Sequence, residues 1–317
     1  MFNIFLNFSL NSSLNSPIAG FNGEVAALSA ACLWSVASVV YGRLGERIPP
    51  LQLNLIKGVI AIAMLTITIF LRSEIFPSLA PLTVCLLLLS GVIGIGLGDT
   101  AFLAAINCFG ARRTLLMGTL APPMTAIAAL IFLQESLNVS AWCGILLTVL
   151  GVAWVVTERI PGTSDNSSTQ LWRGIGFGLL AAITNAAGAI LSRAAFATTT
   201  IEPLWAALLR LNAGVLILLP LVWFTRGNAT TLAYPYWRSR RVILASFFAA
   251  FCGTYLGIWL QQTAIKLTAA GIASTLLQTS PLFVMPFAMW MGEKVSVRAI
   301  AGVAIAIFGI ALLFYLK

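Results

Sequence analysis

The sequence predicts an all-α integral membrane protein of ten transmembrane helices, arranged as two inverted five-helix repeats. Three observations carry that prediction. First, 60% of the 317 residues are hydrophobic and 9% are charged, whereas a soluble domain carries about 25% charged residues. Second, apolar segments long enough to cross a bilayer follow one another with short polar joints; about 20 residues suffice for one crossing. Third, one stretch occurs twice. Residues 111–156 carry Pro123, Glu135, Gly144 and Gly151, and residues 269–314 carry Pro281, Glu293, Gly302 and Gly309 at the same spacing.

Taken in order, residues 1–21 lack a basic start, and Asn7, Asn11 and Asn15 interrupt their apolar run. A mobile tail is expected there rather than a cleaved signal. The first repeat, residues 22–157, holds spans near 24–41, 51–71, 82–106, 113–133 and 140–156. A polar linker, residues 158–170, with Pro161, Gly162, Asp165 and Asn166, separates the halves. The second repeat, residues 171–317, holds spans near 174–195, 204–224, 242–265, 270–291 and 299–316. Five crossings per repeat is an odd number, so the second repeat enters from the opposite face. The repeats are then inverted, related by an axis in the membrane plane.

Gly94 and Gly98 in span 3 match Gly253 and Gly257 in span 8. Gly58 in span 2 matches Gly214 in span 7, which pairs Asn54 with Arg210. Small residues four apart let helices approach closely in lipid, and packing is the simplest role for them. Trp142, Trp172, Trp205, Trp223 and Trp237 lie near span ends and are expected in an interfacial belt.

Several function classes have no support. Histidine is absent, removing the commonest zinc ligand and general base. Cys32, Cys85, Cys108, Cys143 and Cys252 form no CxxC pair and read as packing residues, so neither metal nor cofactor is expected. No Walker A, GxSxG or HExxH sequence is present, so neither an enzyme nor an ATP-driven pump is expected. The net charge of +9 sits between apolar segments without interleaved aromatics, and nucleic acid is not an expected partner.

That charge instead bears on orientation. Of the eighteen basic residues, twelve lie in the loops after the odd-numbered spans: Arg43, Arg47, Arg112, Arg113, Arg159, Arg173, Arg226, Arg238, Arg240, Arg241, Lys294 and Arg298. Arg72, Arg193, Lys266 and Lys317 lie at the other face. Positive charge marks the cytoplasmic side, which places the odd-numbered loops inside the cell and both tails outside.

Lys57 and Arg210 complete the eighteen and, with Asp99, lie inside spans. A charge at the bilayer centre costs at least about 2.5–3.5 kcal/mol, so such residues are functional candidates by default. Lys57 and Asp99 have matching depths, and a pair, a solute clamp or, for Lys57, snorkelling to the interface all fit. Asp99 has no acidic counterpart, since Ile258 aligns with it, and it is the one carboxylate well inside a span that could couple transport to protons. A buried Arg210 suits a carboxylate or phosphate, or a pair with Glu202. Glu135 and Glu293 sit at span ends and suit a hinge or helix-terminus role.

Pro122, Pro123 and Pro281 fall within spans 4 and 9. Proline lacks a donor and frees carbonyls one turn earlier, so matched broken helices point to a binding site. Thr119, Gln278, Thr279 and Ser280 flank these breaks. Asn185, Asn212, Gln261 and Gln262 are polar candidates that interhelical hydrogen bonds would explain equally well. Trp34 and Trp259 lie deeper and either wall a cavity or pack.

The pattern of Pro123, Glu135, Gly144 and Gly151, echoed by Pro281, Glu293, Gly302 and Gly309 and preceded by Gly98-Asp99 and Gly110-Ala111, resembles the drug/metabolite transporter superfamily, and within it the EamA-like ten-helix transporters. The resemblance covers residues 22–317. It implies alternating-access transport around a central cavity between the first four helices of each half, with spans 5 and 10 as outer supports. Family members of this kind keep both tails in the cytoplasm, which opposes the charge count. The expected function is secondary active transport of small organic solutes, as metabolite or amino-acid export coupled to protons. The alternatives are an exchanger of anionic solutes such as organic phosphates or nucleotide sugars, and a non-transporting membrane scaffold. The expected partners are a small-molecule solute and the lipid bilayer of the cell membrane, with a homodimer open.

Overall fold

A computed structural model describes residues 22–72, 77, 79–157, 168–226, 239–283 and 297–315. Helices dominate it, and no strand occurs among the described residues. In the first repeat the helices are α1 (Asn22–Gly45), α2 (Pro50–Leu71), α3 (Pro81–Gly91), α4 (Thr100–Phe109), α5 (Ala111–Gly118), α6 (Ala121–Phe132) and α7 (Val139–Thr157). In the second they are α8 (Ser168–Ala197), α9 (Pro203–Arg226), α10 (Arg240–Ala249), α11 (Gly257–Leu267), α12 (Ala270–Leu277) and α13 (Val297–Tyr315). Seven segments are long and apolar enough to cross a membrane, and the shorter apolar helices 139–154 and 300–313 add two more. Span 9 is described from Ala270 to residue 283. The calls on the tail, the linker, Glu293, Lys294, Trp237 and Lys317 lie outside the described residues.

The helix starts follow from proline. Pro50 and Pro81 open their helices, and α9 begins at Pro203. Proline suits a first turn, because its missing N–H would be unpaired there anyway. The outer surface is apolar: Val59, Ile67, Leu146, Leu150, Ile300 and Phe308 are all exposed. In water this would be a large sticky patch, whereas lipid solvates it.

Spans 3 and 8 each contain a wide π-helical stretch, Val92–Asp99 between α3 and α4 and Ala250–Leu256 between α10 and α11. Such stretches loosen the regular backbone ladder, and other helices satisfy their carbonyls. Asn54 Nδ2 donates to the Ile95 carbonyl at 2.8 Å, and Thr100 Oγ1 donates to that of Gly96 at 2.7 Å. Trp34 Nε1 donates to the Gly253 carbonyl at 2.7 Å, and the Tyr41 hydroxyl donates to that of Ala249 at 2.9 Å.

Spans 4 and 9 are both interrupted. Thr119 and Leu120 separate α5 from α6, and Gln278 and Thr279 form a turn after α12 before helix resumes at Ser280. Pro122 and Pro123 therefore stand in the first turn of a new helix rather than in the middle of a continuous one.

Spans 5 and 10, α7 and α13, pack against each other through the repeated glycines. A Cβ on Gly151 would lie 2.5 Å from the Ala306 nitrogen, and one on Gly309 would lie 2.6 Å from the Thr148 nitrogen. The close crossing thus requires glycine at these positions. Of the expected aromatic belt, Trp172 and Trp223 are exposed. Trp142 and Trp205 instead pack on the core cluster around Ile145, Leu276 and Leu313, where burial outweighs an interfacial seat.

The end of the bundle carrying the even-numbered loops is tied shut between repeats. Arg193 Nε pairs with Glu135 Oε1. Arg193 Nη1 also donates to the carbonyls of Ile265 at 2.9 Å and Lys266 at 2.8 Å. Glu135 Oε2 accepts the Ala270 N–H at 3.0 Å, which places a carboxylate at the positive end of α12. Lys266 Nζ donates to the Ile201 carbonyl at 2.8 Å. Glu135 thus has the helix-terminus position expected of it.

Candidate functional site

A cavity of about 150 Å³ lies inside the bundle. Its wall draws on both repeats: the last turns of α1, both π-helical stretches, the first half of α8, the middle of α9, and the two interrupted spans. These segments lie at mid-depth or toward the odd-loop end, while the even-loop end carries the ties described above. The space holds a small organic solute or several waters, each water needing about 10–15 Å³ by the same measure.

Lys57, Asp99, Arg210, Gln278, Asn185 and Trp34 all line this cavity. Lys57 Nζ lies 2.5 Å from Asp99 Oδ2 and 5.6 Å from the centre of the Tyr41 ring. The Lys57 side chain is 10% exposed and that of Asp99 31%, so the carboxylate is the member of the pair that faces open space. Of the readings open for Lys57, pairing is the one the geometry contains. Tyr41 is held by a 3.0 Å hydrogen bond with Thr254 and by the Ala249 carbonyl.

Arg210 is 3% exposed. Its Nε and Nη1 are sealed from solvent and have no hydrogen-bond partner among the described residues. Asp99 is the acid whose charge reaches it, yet no hydrogen bond joins them, and no ion pair links Arg210 to Glu202. The guanidinium is cradled by glycine: a Cβ on Gly94 would lie 3.2 Å, and one on Gly188 3.5 Å, from Nη2. Gly91 is fixed by the backbone of the same helix, since a Cβ there would lie 2.1 Å from the Arg210 carbonyl oxygen.

The helix starts also correct one correspondence between the repeats. Matching Gly58 with Gly214 pairs Arg210 with Asn54. Counting instead from Pro50 and Pro203, where α2 and α9 begin, Leu51 matches Leu204, Leu55 matches Leu208, and Lys57 matches Arg210. The two buried cations are therefore counterparts, one from each repeat. Asn54 has a separate role, bridging the Ile95 carbonyl and Thr100 Oγ1.

Other candidates fall elsewhere. Trp259 does not line the cavity: its ring centre lies 6.1 Å from that of Tyr255, and it packs on the cluster around Leu204 and Leu211. Pro122, Pro123 and Pro281 also stand off the wall, while Gly118, Gln278 and Ser280 beside the breaks are on it. The Gln278 amide sits over Gly118, where a Cβ would lie 3.2 Å from its Oε1. Asn212 Nδ2 donates to the Leu208 carbonyl of its own helix at 2.8 Å. Tyr41, Thr114 and Thr254 line the cavity without having been singled out. Each reads in sequence as an ordinary helix residue, and only the packing of α1 on span 8 gives Tyr41 a polar partner.

An all-α membrane protein with two inverted repeats around a central polar cavity has the architecture of a transporter. The chain belongs to the EamA-like transporter family, whose sequence profile matches residues 21–157 and 172–315. It is 29% identical over 149 residues to a Bacillus subtilis (strain 168) protein named uncharacterized transporter YvbV. That match covers 44% of this chain and 48% of the relative, so it spans about half of the relative's length. A solved crystal structure superposes with a TM-score of 0.73 at 15% identity, over 93% of this chain and 96% of that one. That likeness concerns the fold.

Proposed function

We propose that this protein is a secondary active transporter that exports a small organic solute, a metabolite or amino acid, by alternating access and in exchange for protons. The observation that carries the reading is the asymmetry of the bundle. The cavity is built from the odd-loop half of the repeats, and the Glu135–Arg193–Ala270 tie closes the other end. An inverted repeat can interconvert such a state with its mirror image by rocking one half against the other. Asp99 is the acidic side chain on the cavity wall, already engaged with Lys57, and a carboxylate that exchanges a cationic partner for a proton can link transport to a proton gradient.

The charge count puts the odd-loop end in the cytoplasm of a cell with this protein in its plasma or inner membrane. The cavity then opens inward in this state, and both tails lie outside. A fluorescent reporter fused after Lys317 tests this orientation; signal from the cytoplasm overturns it. For transport itself, the purified protein in liposomes should accumulate or release a solute in response to an imposed pH gradient. Flux indifferent to pH removes the proton coupling, and absence of flux for every solute class leaves the scaffold reading. The unpartnered Arg210 favours anionic over cationic cargo, as an exchanger of anions would also require.

A further inference from the structure

We infer that the cavity holds its solute by one carboxylate, taken by Arg210, so that the transported class is small monocarboxylates with an apolar body, amino acids included. This deepens the transport reading and rests on it. Three observations carry the inference. Arg210 is 3% exposed and lines the cavity, and two of its nitrogens are sealed without an acceptor. A buried guanidinium left in that state is expensive unless a partner arrives, and its planar fork suits a carboxylate by paired hydrogen bonds. The wall then sets the charge of the partner. Lys57 and Asp99 already neutralise each other at 2.5 Å, which leaves a single positive charge at Arg210. A monoanion balances it. A phosphate monoester, carrying about −1.5 to −2 at pH 7, would leave excess negative charge in a site from which water is largely excluded. Finally, the rest of the wall is mostly apolar, with Trp34, Phe102, Leu103, Leu115, Ile95 and Ile258 facing the space. The Trp34 indole N–H is already spent on the Gly253 carbonyl, so that ring offers the solute a hydrophobic face. The Asp99 carboxylate, the more exposed of its pair, is the acceptor available to an ammonium group when the solute is an amino acid.

The test uses the full chain in two ways. In detergent, thermal stabilisation is measured with isovalerate, phenylacetate, leucine and phenylalanine, with the matched neutral isovaleramide and phenylacetamide, and with isoamyl phosphate. In liposomes, flux of the same compounds is followed. At least one carboxylate should stabilise and move, its amide should do neither, and the phosphate should be weaker. Arg210→Gln should weaken the carboxylate response roughly tenfold to a hundredfold, the range for a hydrogen bond to a charged group, and Arg210→Lys should restore part of it. No stabilisation by any carboxylate overturns the proposal, as does equal response to acid and amide. If Arg210→Gln does not fold, the acid–amide comparison on the unaltered protein still decides. Flux of the amides alone sinks the carboxylate site while leaving the transporter standing. Carboxylate binding that depends on Arg210 without flux of any compound keeps the site and sinks the transport reading.

Discussion

Replacing Glu135 should open the even-loop end of the bundle. Its carboxylate makes two contacts there, with Arg193 and with the Ala270 N–H at 3.0 Å. The two side chains are 24% and 18% exposed, so the pair is only partly screened. A hydrogen bond to a charged group contributes about 1.5–3 kcal/mol, and partial exposure argues for about 2 here. Capping the start of α12 adds about 1 kcal/mol. These contacts exist in the state closed at this end and must break for it to open, so Glu135→Ala should shift the balance by about 3 kcal/mol, on the order of a hundredfold. Glu135→Gln keeps an acceptor for Ala270 and loses the charge, so its shift should be nearer 2 kcal/mol, about thirtyfold. The assay is a thiol placed on the cavity wall, Asn185→Cys, in a background with the native cysteines removed. Its labelling by a membrane-impermeant maleimide is timed from the even-loop face. The rate should rise from the parent through the Gln variant to the Ala variant. Equal rates in all three, with melting temperatures that show folded protein, would refute the account of this tie as a gate.

Three further outcomes follow from the packing. Gly151→Val should lower the melting temperature in detergent, because a Cβ there meets the Ala306 nitrogen at 2.5 Å and overpacking typically costs about 1–3 kcal/mol; an unchanged melting temperature would show that α7 and α13 separate freely. Asp99→Asn should both abolish proton-coupled flux and destabilise the fold by about 3–5 kcal/mol, since it strands Lys57. Adding Lys57→Met should restore stability without restoring coupling, which separates the two roles. Asn54→Leu removes donors from the Ile95 carbonyl and Thr100 and should destabilise by about 1–3 kcal/mol, read as earlier thermal unfolding.

The repeat architecture was legible because composition, hydropathy and the Pro–Glu–Gly–Gly spacing all bear on it independently. The Lys57–Asp99 contact was also legible, since depth along two helices can be counted from their shared end. The equivalence of Lys57 and Arg210 was not, because glycines drew the correspondence three residues away from the one set by Pro50 and Pro203. Glycines in lipid mark where backbones touch, and the touching points need not be repeat counterparts. The π-helical stretches left no periodic signal, as their residues are apolar on all sides. For the same reason nothing in the sequence told Trp34, which reaches the Gly253 carbonyl, from Trp259, which turns into a packed cluster.

The wide turns at Val92–Asp99 and Ala250–Leu256 have a consequence for how this chain tolerates change in length. A wide turn absorbs an extra residue, and one residue of an α-helix is about 100° of rotation. Deleting a single amino acid between Val92 and Gly98 would let span 3 close into a regular helix of unaltered hydropathy. It would also swing everything downstream by about that angle, carrying Asp99 off the face it shares with Lys57. Substitutions by other small or apolar residues would leave that register intact. In these two segments the number of residues matters more than their identity.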